Sequence, residues 1–340
     1  MKDFKRHILI SLFLPAITLS MAYSLEDTIA YPSLPKNEKM DIKVALKPGI
    51  KYSLADDNFQ GGRVFDIKFA AIVMEGKLEK GFSYFVKVNM ANEPNLLDAY
   101  IKYTYSEQLI FSAGAMKPKQ TLDFIPDAVS TDFAFRAKIT ELLVDSREVG
   151  LSLEGDIGRF YYFSGLYNGA GLSKYNNNKF YGVGRLQYTF NISHSADLKV
   201  GVHGSHGHTP GVRSGSYGPV VSGDKTLFGS DFRLETGRLL LAAEYSTGLI
   251  YTEDDNKDEY RETISGYFFT AGYSVLKYTQ LLGRWQGWAF KEKDLLYNQY
   301  TLGINQKFSK KVGAQLNFDS YLPDKGDHKS GFSLALKVTF

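Results

Sequence analysis

Three histidines lie close together in one short segment, where they could hold a metal ion or assist catalysis. The segment HGSHGHTPG carries His203, His206 and His208, and imidazole nitrogens are common ligands of transition metals. The segment is rich in glycine and has no carboxylate close by, so we expect a flexible loop and no metal site. Ser205 beside His206 could pair a nucleophile with a base, but neighbours on a strand point to opposite faces.

Two further segments resemble ligand sites only in part. GAGLSK (169–174) lacks the spacing and the following helix of a phosphate-binding loop. YTEDDNKDEYRE (251–262) is acidic and predicts a solvated loop with weak affinity for a divalent cation. Acidic residues are frequent, yet no spacing singles out a protease pair. We therefore predict no enzyme and no cofactor.

Lysine and arginine side chains suggest a different chemistry, the electrostatic selection of charged solutes in a pore. If the chain forms strands that alternate two faces, nine basic side chains share one face: Lys68, Lys87, Lys102, Arg185, Lys199, Arg233, Arg284, Lys307 and Lys337. Nine acidic side chains share that same face: Asp66, Asp98, Glu148, Glu154, Asp197, Asp231, Glu235, Glu244 and Asp319. The two sets balance, so the sequence predicts no overall charge preference.

Composition excludes several classes of protein. The chain of 340 residues has no cysteine, which excludes a disulfide scaffold, a thiolate metal site and a cysteine nucleophile. Its formal net charge is only +3, so nothing marks it as a nucleic-acid-binding protein. Phenylalanine (24) and tyrosine (23) far outnumber tryptophan (2).

The first 24 residues predict a signal peptide. MKDFKRH supplies a basic start, ILISLFLPAITL is too short to span a membrane as a helix, and small residues follow near Ala22 to Ser24. An uncleaved anchor is the alternative. In both cases we expect residues 25–340 to lie outside the cytoplasm.

Period-two alternation of apolar and polar residues runs through the rest of the chain. VKVNM (86–90), LLDAYIKYTY (96–105) and GFSLALKVTF (331–340) each place apolar and polar side chains on opposite faces of a strand. The pattern predicts about sixteen strands, close to 42–52, 62–75, 81–91, 95–105, 109–116, 146–155, 158–167, 179–190, 196–205, 226–236, 237–247, 262–274, 276–290, 295–308, 311–321 and 329–340.

Short turns alternate with longer polar connections, as in an up-and-down barrel of an outer membrane. A soluble β-sandwich would show the same alternation. Aromatic clusters near strand ends, such as FYYFSGLY (160–167) and GYFFTAGY (266–273), favour the barrel, because aromatic rings prefer the membrane–water interface. We therefore predict an all-β, antiparallel transmembrane barrel of about sixteen strands, which leaves an aqueous lumen.

The longest connection, residues 117–145, is the third long loop. Loops of this length in compact proteins usually have a function, so we expect it to fold into the lumen and constrict it; an ordinary outer loop is the alternative. Basic residues of this loop and of the facing wall are our candidates for lining the constriction: Lys87, Lys102, Lys117, Lys119, Arg136, Lys138, Arg147 and Arg185.

Residues 95–190 resemble the phosphate-selective porin O and P family. The resemblance rests on Gly114 with Lys117 and Pro118, on the element Arg147 to Gly150, and on Asn168–Gly169. It implies a sixteen-stranded, commonly trimeric outer-membrane channel. The terminal Phe340 after alternating apolar residues also resembles the signal that the barrel-assembly machinery recognises.

We expect an outer-membrane porin of a Gram-negative-type bacterium through which small hydrophilic solutes diffuse passively, including anions such as phosphate. Its expected partners are outer-membrane lipid, lipopolysaccharide, the barrel-assembly machinery and two further copies of the chain. Two alternatives remain at this point: an outer-membrane lipase or protease, and an adhesin-like barrel that binds partners through loops 206–225 and 248–261.

Overall fold

A computed structural model describes residues 40–55, 57–91, 93–144, 146–172, 177–253 and 259–340. The predicted signal peptide, residues 1–24, lies outside the described residues. The structure contains sixteen strands: β1 Met40–Ser53, β2 Arg63–Lys77, β3 Phe82–Asn89, β4 Asn95–Ser106, β5 Leu109–Met116, β6 Glu148–Ile157, β7 Phe160–Tyr167, β8 Tyr181–Ser193, β9 Ala196–Arg213, β10 Val220–Thr236, β11 Leu239–Glu253, β12 Glu259–Leu276, β13 Thr279–Phe290, β14 Leu295–Lys307, β15 Val312–Pro323 and β16 Lys329–Thr339.

The sixteen strands form one closed antiparallel barrel. Each strand pairs with its neighbours in sequence, and β1 pairs with β16, where Lys51 lies opposite Ser333 and Ala45 opposite Thr339. Because the barrel is closed, every strand pairs with two neighbours. No edge strand is left with unpaired backbone N–H and C=O groups in the lipid. The predicted fold class and all sixteen predicted strands are confirmed.

Two predicted loops are instead mostly strand. β9 continues to Arg213 and β10 begins at Val220, so residues 206–225 form a long hairpin with only six connecting residues. β11 likewise continues to Glu253 and β12 begins at Glu259. Glycine and polar residues in these segments, such as HGHTPG (206–211), concealed their alternation. The shorter loops weaken the adhesin alternative.

The connections at the two ends of the barrel differ as predicted. At one end, the short-turn end, they contain two to four residues. At the other, the long-loop end, the longest is residues 117–147 between β5 and β6. Exposed aromatic rings lie near the short turns, as expected at a membrane interface: Phe82, Tyr105, Phe190, Tyr273, Tyr278 and Phe308.

Alternation separates the outer face from the lumen. On β16, Phe332, Leu334 and Leu336 are exposed outward, whereas Ser333 and Ala335 are buried inside. Cross-strand register places Lys199 opposite Arg233 and Lys87 opposite Asp98, so the two members of each pair share a face of the sheet. The outward apolar side chains form the surface expected to meet lipid.

Among the described residues, helical structure is limited to α1, Lys138–Leu143, and to two 3₁₀ turns, Phe59–Gly61 and Glu79–Gly81. None of these helices has the length and apolar character needed to cross a membrane.

Candidate functional site

The connection between β5 and β6, residues 117–147 and here called the long loop, folds into the barrel. Lys47 of β1 donates hydrogen bonds from Nζ to the carbonyls of Ala128 (2.8 Å) and Ala134 (3.1 Å). On β15, Gln315 donates from Nε2 to the carbonyl of Thr131 (2.9 Å). These partners lie far around the barrel from β5 and β6, so the long loop crosses the lumen.

Apolar contacts hold the second half of the long loop against β10 to β13. Ile139, Leu142 and Leu143 of α1 pack in a buried cluster with luminal side chains of the wall. The wall contributes Val221, Leu227, Ile250, Ile264, Phe268 and Trp288. Each such side chain stabilises the packing by about 1.5–3 kcal/mol through burial, so the loop is docked firmly against this wall.

Luminal glycines make room for the loop side chains. A Cβ added at Gly248 of β11 would lie 2.6 Å from Cδ2 of Leu143. At Gly266 of β12 it would lie 3.0 Å from Cδ1 of Ile139. The first distance is shorter than real Cβ contacts and the second is shorter than most of them, so glycine permits α1 to approach the wall closely.

Polar groups bind the backbone carbonyls at the C-terminal end of α1. The backbone N–H of Tyr217, in the β9–β10 connection, donates to the carbonyl of Glu141 (3.0 Å). Lys225 of β10 donates from Nζ to the carbonyl of Leu143 (2.6 Å), and Ser214 donates to the same carbonyl (3.2 Å). The last carbonyls of a helix have no partner within it, and here the wall and the neighbouring connection supply them.

Ion pairs fix the first half of the long loop. Arg185 of β8 binds Asp231 through both terminal nitrogens (2.6 and 2.8 Å) and donates to the carbonyl of Gln120 (2.8 Å). Arg233 of β10 binds Asp132 at 2.8 Å. Arg185 is only 1% exposed. Its side chain therefore helps to hold the long loop in place and does not face the open lumen.

Two predicted basic residues of the loop also have internal partners. Arg136 donates to the carbonyl of Asp123 and to that of Pro126 (2.7 Å). Lys138 pairs with Glu141 at 3.1 Å, and its ammonium lies 4.1 Å from the ring centre of Tyr217. Both side chains stabilise the loop itself.

The other predicted side chains come together beside β3 to β7. A cavity of about 320 Å³, here called the lysine cavity, lies between this wall and the start of the long loop. Four lysines and three carboxylates are among its described lining residues: Lys87, Lys102, Lys117, Lys119, Asp98, Asp127 and Glu154. Arg147 lies next to it, 3.5 Å from Asp98.

The carboxylates of the lysine cavity all have basic partners. Asp127 binds Lys87 at 2.6 Å, and Glu154 binds Lys119. Lys117 instead donates to the carbonyls of Phe124 (2.8 Å) and Pro126 (3.0 Å).

Lys102 makes no hydrogen bond or ion pair with any described residue. With Asp98 held by Arg147, two lysine charges, those of Lys102 and Lys117, remain without a carboxylate partner. The lysine cavity therefore carries an excess of positive charge when Lys117 is protonated.

Burial affects the charge of Lys117. Burial first, and then the nearby charges of Arg136 and Arg147, lower the pKa of Lys117 to about 7. Partial burial works against the charge of Asp127, yet Lys87 holds the pKa of Asp127 below its usual value. Lys117 therefore titrates near neutral pH, whereas Asp127 stays ionised.

A second cavity, here called the lower vestibule, opens at the short-turn end. It measures about 500 Å³ and lies under Val129 and Ser130 of the long loop. Five lysines line it, and no carboxylate is among its described lining residues: Lys277, Lys307, Lys310, Lys311 and Lys337. Three of these lysines, Lys277, Lys310 and Lys311, lie in short turns. Sequence analysis did not assign these three lysines to the lumen.

The three histidines lie in strand β9, so the predicted flexible loop is wrong. His203 faces the lumen, with Nδ1 3.5 Å from Asp231, whereas His206 faces outward and bonds Thr226. Ser205 faces inward and bonds Tyr181, so it points away from His206. Within the part of the chain that the structure describes, no three His, Asp or Glu side chains gather as metal ligands.

A family model described as "Phosphate-selective porin O and P" matches residues 42–218, just over half of the chain. No curated protein sequence matches.

Several solved porin structures share the fold. An anion-selective porin from Comamonas acidovorans matches with a TM-score of 0.65 and 11% identity, over 89% of this chain and 100% of the other. The trimer form of OmpT from Vibrio cholerae gives 0.62 and 13%, over 89% and 99%. Salmonella typhi OmpF in complex with daunomycin gives 0.67 and 12%, over 89% and 98%. At these identities the likeness extends to the fold alone.

Proposed function

Because the chain belongs to the phosphate-selective porin O and P family and forms an outer-membrane channel, we propose that small hydrophilic solutes diffuse passively through its lumen and that anions are favoured. The long loop, 117–145 in the sequence prediction, constricts this path. The proposal rests on one observation above all: the lysine cavity carries two lysines, Lys102 and Lys117, that no carboxylate neutralises.

The proposed path runs along β3 to β7. The long loop is packed against β10 to β13 and bonded to β1 and β15, which leaves the lysine cavity as open space beside it. A solute would pass Lys87, Lys102, Lys117 and Lys119 there. It would meet the lower vestibule as a second basic region at the short-turn end.

Anion preference follows from the positions of the charges and not from their total. The nine basic and nine acidic side chains counted in the sequence balance, but five of those nine carboxylates lie in ion pairs. Ammonium groups that keep free N–H donors can replace the water that an anion loses on entering a constriction. Phosphate, which the family description names, is one such anion.

Several partners belong to the same proposal. We expect a homotrimer, because the trimer form of OmpT has the same fold. Lipopolysaccharide and outer-membrane lipid would contact the exposed apolar face, and the barrel-assembly machinery would insert the chain after cleavage of residues 1–24.

Reversal potentials in a salt gradient test the proposal. In planar bilayers, the purified protein should pass more anions than cations, and Lys102→Glu should shift the reversal potential toward cation selectivity. Lys179→Glu is the matched control, because Lys179 lies at the outer surface beside His208 (3.4 Å). Absence of conductance would refute the channel path, and a cation-selective wild type would refute the anion preference.

A further inference from the structure

The lysine cavity has an aromatic side. Phe85 of β3 and Tyr100 of β4 both line it. Their rings stack, with centroids 5.3 Å apart and planes 20° from parallel. The two residues are direct cross-strand partners, so the stack contributes to pairing of β3 with β4. Neither ring is fully buried, so both also present apolar surface to the cavity.

The aromatic pair lies next to the unpaired lysine. Lys102 follows Tyr100 by two residues, and both side chains point into the lumen, roughly 7 Å apart along the strand. That spacing is about the length of one ring with an attached carboxylate. A planar anion could therefore rest its ring against the aromatic pair while its carboxylate accepts hydrogen bonds from Lys102.

The cavity volume suits such a solute. At about 320 Å³ it lies at the small end of ordinary ligand sites. Phosphate or acetate would satisfy the lysines equally well, but would leave the aromatic surface in water. A solute that covers this surface gains both contacts at once.

We propose that the lysine cavity binds small planar aromatic carboxylates in preference to aliphatic anions of similar size. This inference rests on the proposed path through the cavity. The aromatic pair supplies the preference for a flat ring, and Lys102 with Lys117 supplies the preference for negative charge.

Benzoate and cyclohexanecarboxylate are the probes, because they share the carboxylate and nearly the same size but differ in planarity and in the π face. Each is added to a channel conducting in potassium chloride, and the concentration that halves the current is measured. We expect benzoate to act at a roughly threefold to tenfold lower concentration. Equal concentrations would overturn the inference.

Variants identify the surface responsible. Tyr100→Leu should abolish the difference between the probes, and Tyr100→Phe should keep it, because the ring remains. Tyr103→Leu is the control, since Tyr103 is on the outward face of the same strand, where it contacts Phe82. If Tyr100→Leu fails to fold, Phe85→Leu takes its place. Retention of the difference in a folded Leu variant would also overturn the inference.

Failure of the inference and failure of the proposed function give different results. If only the inference fails, Lys102→Glu still shifts the reversal potential, while the probes act alike. If the channel path fails, equilibrium dialysis of labelled benzoate against the purified protein still tests binding. Saturable binding that Tyr100→Leu removes would support the inference, and its absence would refute it.

Discussion

Lys102 and Lys117 differ from the other lysines of the cavity because no carboxylate holds them. An ion pair near a surface adds little net attraction for a solute, since its two charges largely cancel at a distance. Lys87 with Asp127 and Lys119 with Glu154 are of this kind. The positive potential of the lysine cavity therefore depends mainly on the side chains of Lys102 and Lys117, and each can be altered separately.

Lys117 should make the proposed anion selectivity dependent on pH. Its pKa is lowered to about 7, so the side chain is charged below that pH and loses its charge as the pH rises through it. We expect the preference for anions to be greater at pH 6 than at pH 8.5, as measured by the reversal potential in a fixed salt gradient.

Substitution separates Lys117 from its neighbours. Lys117→Met should lower the anion preference at pH 6 and reduce its change between pH 6 and 8.5. Lys102→Met should lower the preference at both values and leave the pH dependence in place. A pH dependence that survives unchanged in Lys117→Met would assign the titration to another group.

At the scale of elements, the long loop behaves as part of the wall. Its helix α1 packs against Gly248 and Gly266 and among apolar side chains of the wall, and this contact is here called the apolar seat. Lys225 and Ser214 bind the carbonyl at the C-terminal end of α1. A loop attached only by surface ion pairs would move readily, because such pairs contribute little. The apolar seat should therefore give the proposed constriction a fixed width.

Substituting a glycine that contacts α1 should make the proposed constriction wider and less rigid. Gly248→Ala places a methyl group 2.6 Å from Cδ2 of Leu143, so this side chain must move. Because Leu143 is fully buried, we expect α1 to shift with it, away from β11. We expect larger and noisier single-channel currents. Gly283→Ala is the matched control, because its added methyl group would lie 3.9 Å from Leu302, an ordinary contact. Unchanged currents in Gly248→Ala would mean that the loop does not set the width.

The strands could be predicted from the sequence, but the apolar luminal surface against which the long loop packs could not, and the reason is physical. Strand prediction needs only the alternation of neighbouring side chains, which β16 shows clearly. The apolar seat places Phe268, Trp288 and Ile264 inside the lumen, where alternation alone predicts polar residues. Adjacent aromatics such as Phe268 and Phe269, one on each face, were the signal available in the sequence.

At the scale of the whole molecule, the basic side chains are separated along the pore. The lysine cavity lies at the level of the long loop, and the lower vestibule lies at the short-turn end. The charge count along the sequence gave equal numbers of basic and acidic side chains. It could not show which carboxylates are already held in ion pairs. It also missed Lys277, Lys310 and Lys311, whose turns border the vestibule.

The two basic regions should respond differently to salt. The lysines of the lower vestibule are mostly exposed, and screening extends over about 10 Å at 0.1 M but only about 3 Å at 1 M salt. Replacing Lys277, Lys310 and Lys311 together with Gln should reduce anion selectivity at 0.1 M and have little effect at 1 M. Lys102→Gln should reduce it at both. Equal salt dependence of the two variants would contradict this division.

The joint between β1 and β16 also bears on how the barrel is made. Fifteen of the sixteen strand pairings join consecutive strands, and only this one joins segments from opposite ends of the sequence. Hairpins form quickly because little chain entropy is lost in bringing their strands together, whereas distant segments meet slowly. We therefore expect the wall to grow hairpin by hairpin as an open sheet, and the pairing of Ala45 with Thr339 to be the slow last step that closes the sheet into a pore.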